Sequence, residues 1–238
     1  MGDRTAKRAL FEQFARVAKA IAHSARLELL ELLAQGERSV EELAALTETG
    51  LSTVSAQLQE LRRARLVETR RDGTRVFYRL AGDDVAALVG ALRDVAATHL
   101  GDVEPAARRY LGDDTDVEAI DRTELLRRAK SGEVVVVDVR PSAEYEAGHV
   151  PSALSIPLDE LHVRLADLPS DIEIVAYCRG PYCFLAHEAV RRLHLSGRRA
   201  LRLVDGLPEW RLAGLAVAAG AEPGRLPSRP RRRGDQRP

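Results

Sequence analysis

Apolar residues in the first hundred positions recur at helical spacing. From Arg8 to Ala22 a stripe runs through Leu10, Phe14, Val17 and Ile21, the positions of one helix face. His23 and Ser24 interrupt it, and ARLELLELLA (25–34) reads as a second helix ended by Gly36. Ser39, with Glu42 three residues on, forms a capping box that opens a short third helix, SVEELAAL. After a turn containing Gly50, Ser52 is placed to cap a fourth helix, TVSAQLQELRRAR, with Val54, Leu58 and Leu61 inward. The period then changes from helical to alternating. LVETRR and TRVFYRL flank Asp72-Gly73, a strong hairpin signal. A last helix, Asp83 to His99, is apolar on more than one face, which suits burial against another helix or another subunit.

Residues 101–117 are polar and read as a linker with a short helix over Ala106 to Leu111. Beyond it the grammar is α/β. Asp121 and Glu124 open the helix RTELLRRAK, and Gly132 ends it. Val134–Val139 and Ile172–Ala176 are apolar runs of the kind found in buried parallel strands, and a helix over Leu185–Leu195 follows the second. This alternation predicts a parallel sheet with helices on both faces. The segment from Pro223 is rich in Pro and Arg and is expected to be disordered. The pattern therefore predicts two domains. A mainly-α domain with a helix-turn-helix and a wing covers 1–100, a linker 101–117, an α/β domain 118–222 and a tail 223–238.

Composition narrows the function classes. With 238 residues, 45% of them hydrophobic and 30% charged, the chain has the make-up of a soluble protein with two modest cores. Aromatics are only 4%, so packing must rest on Leu, Val and Ala. The 36 basic and 36 acidic residues cancel, which excludes global attraction to nucleic acid but not a local basic patch. No apolar run approaches the roughly 18–20 residues of a membrane span, and Met1 to Leu10 lacks the apolar core of a signal peptide. Two cysteines cannot build a disulfide framework. A cytoplasmic protein with no membrane association is the expectation.

Helix, turn, helix and two-stranded wing together place one helix in a major groove of double-stranded DNA. The fourth helix offers Ser52, Thr53, Ser55, Gln57 and Gln59 for this, with the amide of Gln57 suited to a bidentate pair with adenine. Its end and the wing supply Arg62, Arg63, Arg65, Arg70, Arg71, Arg75 and Arg79 for the phosphate backbone. A charge run alone is more simply a solvated face; the helix-turn-helix in front of it reverses that preference. The stretch LLELLAQGERSVEELAALTETGLSTVSAQLQELRRARLVETRRDGTRVFYRL resembles the ArsR/SmtB family of winged-helix repressors, over about residues 8–98. The resemblance implies a homodimer joined through the first and last helices and binding to palindromic operator DNA. The family's metal sensors carry cysteines in the helix before the turn or near the termini. Ser39 to Leu46 holds none, and His99 with Asp102 is more simply surface, so no metal and no cofactor is assigned. One departure is Arg65, where relatives usually have glycine. It puts a side chain at an expected left-handed position, at a cost of about 1 kcal/mol.

In the second half, Cys178 follows the strand IEIVAY and precedes a helix starting near Phe184. Inward-pointing loop amides and a helix N-terminus stabilise an anion, so this thiol is expected to be nucleophilic, with Arg179 able to add positive charge. The alternative is a buried, inert cysteine. VVVVDVRPSAEYEAGHVPSALSIPLDEL (134–161), IVAYCRGPYCFLAHEAVRRL (174–193) and LVDGLPEWRLAGLAV (203–217) resemble the rhodanese-like fold, in order and spacing. That resemblance implies that Cys178 accepts a sulfane sulfur and passes it to another thiol, within the loop Cys178, Arg179, Gly180, Pro181, Tyr182, Cys183. It implies mainly structural roles for Asp138, Arg140, Glu144 and His149, and Trp210 is most simply core. The loop departs from the common pattern by ending in Cys183, which makes thiosulfate an unsafe guess. Cys183 either resolves a persulfide on Cys178 or is a buried first-turn residue. A Cys-x5-Arg phosphatase site is disfavoured, because Phe184 stands at the arginine position.

Three functions follow. The first is a DNA-binding transcriptional regulator that uses Cys178 to accept sulfane sulfur or to sense a thiol-reactive effector. The second is a sulfurtransferase working through a Cys178 persulfide, with an accessory DNA-binding domain. The third is a non-catalytic rhodanese-like docking module.

Overall fold

A computed structural model describes residues 3–112, 117–221 and 224; the expected tail lies almost wholly outside the described residues. The chain divides into two compact units, Met1–Ala96 and Ala97–Pro238. In the first, helix α1 (Arg4–Ile21) begins before the expected Arg8 because the Asp3 carboxylate caps it, accepting from the Thr5 amide at 2.8 Å. Helix α2 (Ser24–Leu33) buries Leu29, Leu30, Leu32 and Leu33. Strand β1 (Arg38–Ser39) leads into α3 (Val40–Leu46), whose capping box is present: the Ser39 amide donates to Glu42, and the Glu42 amide donates to the Ser39 hydroxyl.

Helix α4 (Leu51–Arg63) corrects the sequence reading of its start. Gly50, not Ser52, is the N-cap, with no side-chain cap; its carbonyl accepts from the Val54 amide at 3.1 Å. The extended turn at Gly50 brings the helix in two residues early and leaves Ser52 exposed in its first turn. Its far end is a Schellman motif. The Leu66 amide donates to Leu61 O and the Arg65 amide to Arg62 O, with Leu61 and Leu66 both buried and Arg65 at φ 59. The left-handed position inferred at Arg65 is thus present. Strands β2 (Val67–Asp72) and β3 (Arg75–Leu80) pair antiparallel around Gly73, at φ 58, and β1 joins on the far side of β3. Helix α5 (Asp83–His99) buries Val85 against this core, while Leu88, Leu92 and Val95 stay exposed. The unit is a winged helix-turn-helix.

Helix α6 (Val103–Leu111) is longer than the expected Ala106 start, because Pro105 sits in its first turn, where no amide partner is needed. The rest of the second unit is an α/β layer. Its strands are β4 (Ala119–Ile120), β5 (Val134–Asp138), β6 (Leu154–Ser155), β7 (Glu173–Tyr177) and β8 (Ala200–Leu203), parallel throughout in the order β4-β8-β7-β5-β6. The helices are α7 (Arg122–Lys130), α8 (Ser142–Ala147), α9 (Leu161–Arg164), α10 (Phe184–Leu195) and α11 (Leu207–Leu212). Alternation along the central strands supplies two separate cores. Val135, Val137, Ile174 and Ala176 pack on one face with α10 residues such as Ala186 and Val190. Val134, Val175, Tyr177 and Leu203 pack on the other with Leu125 and Trp210. The sheet is therefore covered on both faces, and β7 delivers the chain from its centre to the cysteine loop.

Candidate functional site

Cys178 leaves the end of β7, and Cys183 is the N-cap residue of α10. The two are joined by a disulfide with a Cα–Cα distance of 6.3 Å, and both are buried. The loop between them turns tightly, with the Cys183 amide donating to Gly180 O at 3.1 Å. Gly180, Pro181 and Tyr182 are half-buried. The first amides of α10 lack partners within the helix, so a thiolate at this end of the helix meets donors and the positive pole of the helix dipole.

Arg179 does not turn its guanidinium free into the loop. It pairs with the fully buried carboxylate of Glu144 on α8, Nε to Oε2 at 3.0 Å and Nη2 to Oε1 at 2.7 Å. Its charge is compensated there, and the pair anchors the loop backbone to α8. On the opposite side the turn after β8 presses on the loop. A Cβ at Gly206 would stand 2.2 Å from the Arg179 carbonyl carbon and 2.4 Å from the Gly180 nitrogen, so no larger residue fits without moving the loop. Next to it, the Leu207 amide donates to Cys178 O at 3.3 Å, and Arg202 Nη1 lies 3.5 Å from Pro181 O.

Beneath the loop, a buried polar network fixes the end of β7. Asp138 accepts from Arg140 Nε and Nη2 at 2.9 and 2.6 Å and from the Tyr177 hydroxyl at 2.5 Å. Tyr177 in turn accepts from the Val150 amide, and Arg140 Nη2 also donates to Gly148 O. Burial and the charge of Asp138 hold the Tyr177 phenol well above its ordinary pKa, so it stays a neutral donor. His149 stacks on Tyr145, with ring centroids 3.6 Å apart, and Trp210 is buried with Nε1 donating to Ala216 O. The tyrosine that ends β7, immediately before Cys178, is thus held by the same aspartate that neutralises Arg140.

In the first unit, α4 exposes Ser52, Thr53, Ala56, Glu60, Arg62 and Arg63, while Ser55 is half-buried. Both glutamines are engaged within the fold. Gln57 Oε1 accepts from Arg26 Nη1 at 2.9 Å, and Gln59 Nε2 lies 3.1 Å from the Tyr78 hydroxyl. The arginines differ just as much. Arg70 is paired with Glu37 at 2.7 Å and Asp72 at 3.3 Å, and lies over the Phe77 ring. Arg63 is paired with Glu60, and Arg79 with Glu68. Arg62, Arg71 and Arg75 are exposed and make no ion pair among the described residues.

Two families match this chain. "Bacterial regulatory protein, arsR family" matches residues 23–69, and "Rhodanese-like domain" matches residues 121–213. The chain is 54% identical over 223 residues to the HTH-type transcriptional regulator Rv0324 of Mycobacterium tuberculosis, covering 94% of this chain and 98% of that protein. The chain belongs to the ArsR family of bacterial regulatory proteins. Behind its winged helix-turn-helix this ArsR-family protein carries a rhodanese-like domain. That domain is similar to a sulfurtransferase of Allochromatium vinosum, 33% identical over 105 residues, which are 43% of this chain and 96% of that protein. Among solved structures, a homodimeric winged helix-turn-helix DNA-binding domain of Mycobacterium bovis is 53% identical, over 42% of this chain and 91% of that one, with a TM-score of 0.39.

Two residues of this ArsR-family protein that hold its candidate sites escaped the sequence reading: Gly206 at the thiol loop and Arg26 behind α4. Gly206 had a visible signal, the Asp-Gly pair between LRLV and LPEW. Arg26 gave none, since its bond to Gln57 joins α2 to α4, 31 residues on. No described helix is long and apolar enough to cross a membrane.

Proposed function

We propose that this ArsR-family protein is a cytoplasmic, homodimeric regulator whose affinity for operator DNA is set by sulfur chemistry at Cys178. The observation that carries this reading is the pair Cys178 and Cys183, placed at bonding distance across one loop at a helix N-terminus. The Cys178 thiolate attacks the outer sulfur of a persulfide donor, R–S–SH. The new bond makes Cys178–S–SH, and the R–S− thiolate leaves with the electron pair of the broken bond. The Cys183 thiolate then attacks Cys178 Sγ, the Sγ–Sγ bond forms, and hydrosulfide leaves. A cellular dithiol restores both thiols by exchange, becoming a disulfide itself. Arg179, clamped by Glu144, and Gly206, backing the loop, hold the geometry for both attacks.

The DNA-facing elements support the output. Ser52, Thr53 and Ser55 lie at the start of α4, where hydroxyls and amides meet phosphates, and Arg62, Arg71 and Arg75 are free to follow the backbone of the duplex. The internal bonds of Gln57 and Gln59 make them positioning residues for α4 first and base readers second. Leu10, Phe11 and Phe14 of α1 are each more than half exposed, and Leu88, Leu92 and Val95 of α5 add to them. These are the two helices through which dimerisation was expected, and a second copy would cover the apolar surface they leave to solvent.

The test is operator-fragment binding by the reduced full chain, before and after a persulfide donor. Affinity is expected to fall by about 5–150-fold, the usual span of a coupling between two sites, and to recover with dithiol. Cys178→Ser is expected to form no intramolecular disulfide by mass spectrometry and to keep one affinity throughout; an unaltered response in that variant would sink the sensing reading. The match to a sulfurtransferase favours a second reading, in which the loop turns over as an enzyme. Operator affinity followed alongside hydrosulfide release separates them: an affinity that falls with donor and recovers with dithiol marks a switch, and continued release with an unchanged affinity marks an enzyme alone.

A further inference from the structure

Helix α6, in the stretch read from the sequence as a linker, is packed within the second unit, which begins at Ala97. Leu111, the last residue of α6, is buried, and its carbonyl accepts from Arg191 Nη2 on α10. Gly112 follows at φ 87, where a Cβ would stand 2.9 Å from that same guanidinium nitrogen. The Tyr110 ring lies 6.3 Å from the ring of Phe184, the first residue of α10 and the neighbour of Cys183. Further along, Val117 enters the apolar cluster that contains Cys178, Cys183, Ala186 and Val190. Helix α6 is therefore seated on the helix whose N-cap is one of the two thiols. At its other end, only Leu100, Gly101 and Asp102 separate it from α5, and the Val103 amide donates to Leu100 O at 3.2 Å, closing the link into a turn.

We infer that α6 is the element that carries the state of the cysteine pair to the DNA-binding unit, with Tyr110, Leu111 and Arg191 as its contact residues. The inference rests on the sensing reading above and names its route. The disulfide ties the first turn of α10 to the end of β7. Breaking it, or adding a sulfur atom on Cys178 where the Cys183 sulfur now sits, releases or displaces Cys183 and with it Phe184. In a close-packed contact such a shift is passed on rather than absorbed. Tyr110 and Leu111 feel it directly. A three-residue turn spans at most about 10 Å even when extended, so the link to α5 has little slack in which to lose the movement.

Tyr110→Ala and Arg191→Met in the full chain test the route. Tyr110 is 64% exposed, so its truncation leaves the core intact. Both variants are expected to bind operator as the reduced wild type does and to form the Cys178–Cys183 disulfide with donor to the same extent. The affinity ratio between the reduced and sulfur-treated forms, about 5–150-fold in wild type, should shrink to within about twofold of unity. Hydrogen exchange supplies a readout independent of DNA: amides of residues 107–111 should exchange faster in wild type once the disulfide is reduced. A wild-type ratio that survives in both variants, or α6 exchange that ignores the state of the cysteines, overturns the route while leaving sensing intact. A wild type whose affinity ignores sulfur treatment overturns the sensing reading, and the route falls with it.

Discussion

The two units put their charged and apolar residues to opposite uses. In the first, the core is small and aliphatic apart from Tyr78, and groups that could be hidden are left outside: Leu10, Phe11 and Phe14 on α1, Leu88 and Val95 on α5, and the exposed arginines of α4 and the wing that make no ion pair among the described residues. In the second, groups that are costly to hide are buried and paired. Asp138, Arg140, Glu144 and His149 lie within the fold, each with a named partner, and they surround the short path from β5 to the cysteine loop. Exposed apolar helices and free cations are what association with another chain and with DNA requires. Buried, satisfied charge contributes little net stability but fixes one geometry. The difference accords with the proposed reading, in which the first unit is the output surface and the second a rigid mount for the cysteine loop.

The contrast is broken most severely at its buried end. Asp138→Ala leaves the Arg140 guanidinium and the Tyr177 hydroxyl without their shared acceptor in a site closed to water. Removing one partner of such a pair costs about 3–5 kcal/mol. Trp210, the single tryptophan of the chain and buried in this unit, reports its unfolding by fluorescence. The midpoint of that transition should fall steeply while operator binding by the reduced protein survives. A loss below about 1 kcal/mol would put the pair in the class of surface ion pairs and remove the argument for a rigid mount.

At the exposed end the arginines can be sorted by their partners. Arg71→Ala and Arg75→Ala each remove a cation that makes no ion pair among the described residues, so each should weaken operator binding and lower the slope of log affinity against log salt by about 1. Arg70→Ala should do less, because Glu37 and Asp72 already neutralise that side chain and hold its pKa above the ordinary arginine value through their hydrogen bonds. Titrations of the three variants against salt decide the order. If Arg70→Ala had the largest effect, the wing would rearrange on DNA and the free-cation argument would fail.

How far the sequence carried the reading depended on the range of the interactions involved. Helix and strand periods, the Ser39–Glu42 box, the Asp72-Gly73 hairpin and the strand–Cys–helix order are all local, and the fold followed from them. The two thiols five residues apart were legible for the same reason, whereas their pairing was left open by the sequence and is given by the structure. The start of α4 was misplaced because Ser52 is a better cap than Gly50 by composition, whereas the turn's backbone chose the glycine. What stayed hidden was non-local: Arg179 turned to Glu144, Gln57 held by Arg26, Gly206 against the Arg179–Gly180 peptide, and Arg191 bonded to the end of α6. Each of these depends on where a distant segment arrives, and no spacing rule encodes that.

The smallest effect bears on a local rule that the first unit breaks. Arg65 occupies the left-handed position of a Schellman motif whose hydrogen bonds and Leu61–Leu66 contact are otherwise complete. A side chain with φ near 59° carries about 1–2 kcal/mol of strain that glycine would not. Glycine offsets part of the gain, because it gives the unfolded chain about 0.5–1 kcal/mol more entropy to lose. Arg65 is exposed and makes no ion pair among the described residues, so no other interaction is lost with it. Arg65→Gly should therefore stabilise the first unit by about 0.5–1 kcal/mol, which for a unit of this size raises its melting midpoint by a few degrees. Circular dichroism of the full chain detects this as a shift of the first unit's transition alone, with the Trp210 signal unmoved. If operator affinity also drops, Arg65 is held in its strained conformation to place a cation on DNA, and the departure from glycine is functional rather than tolerated.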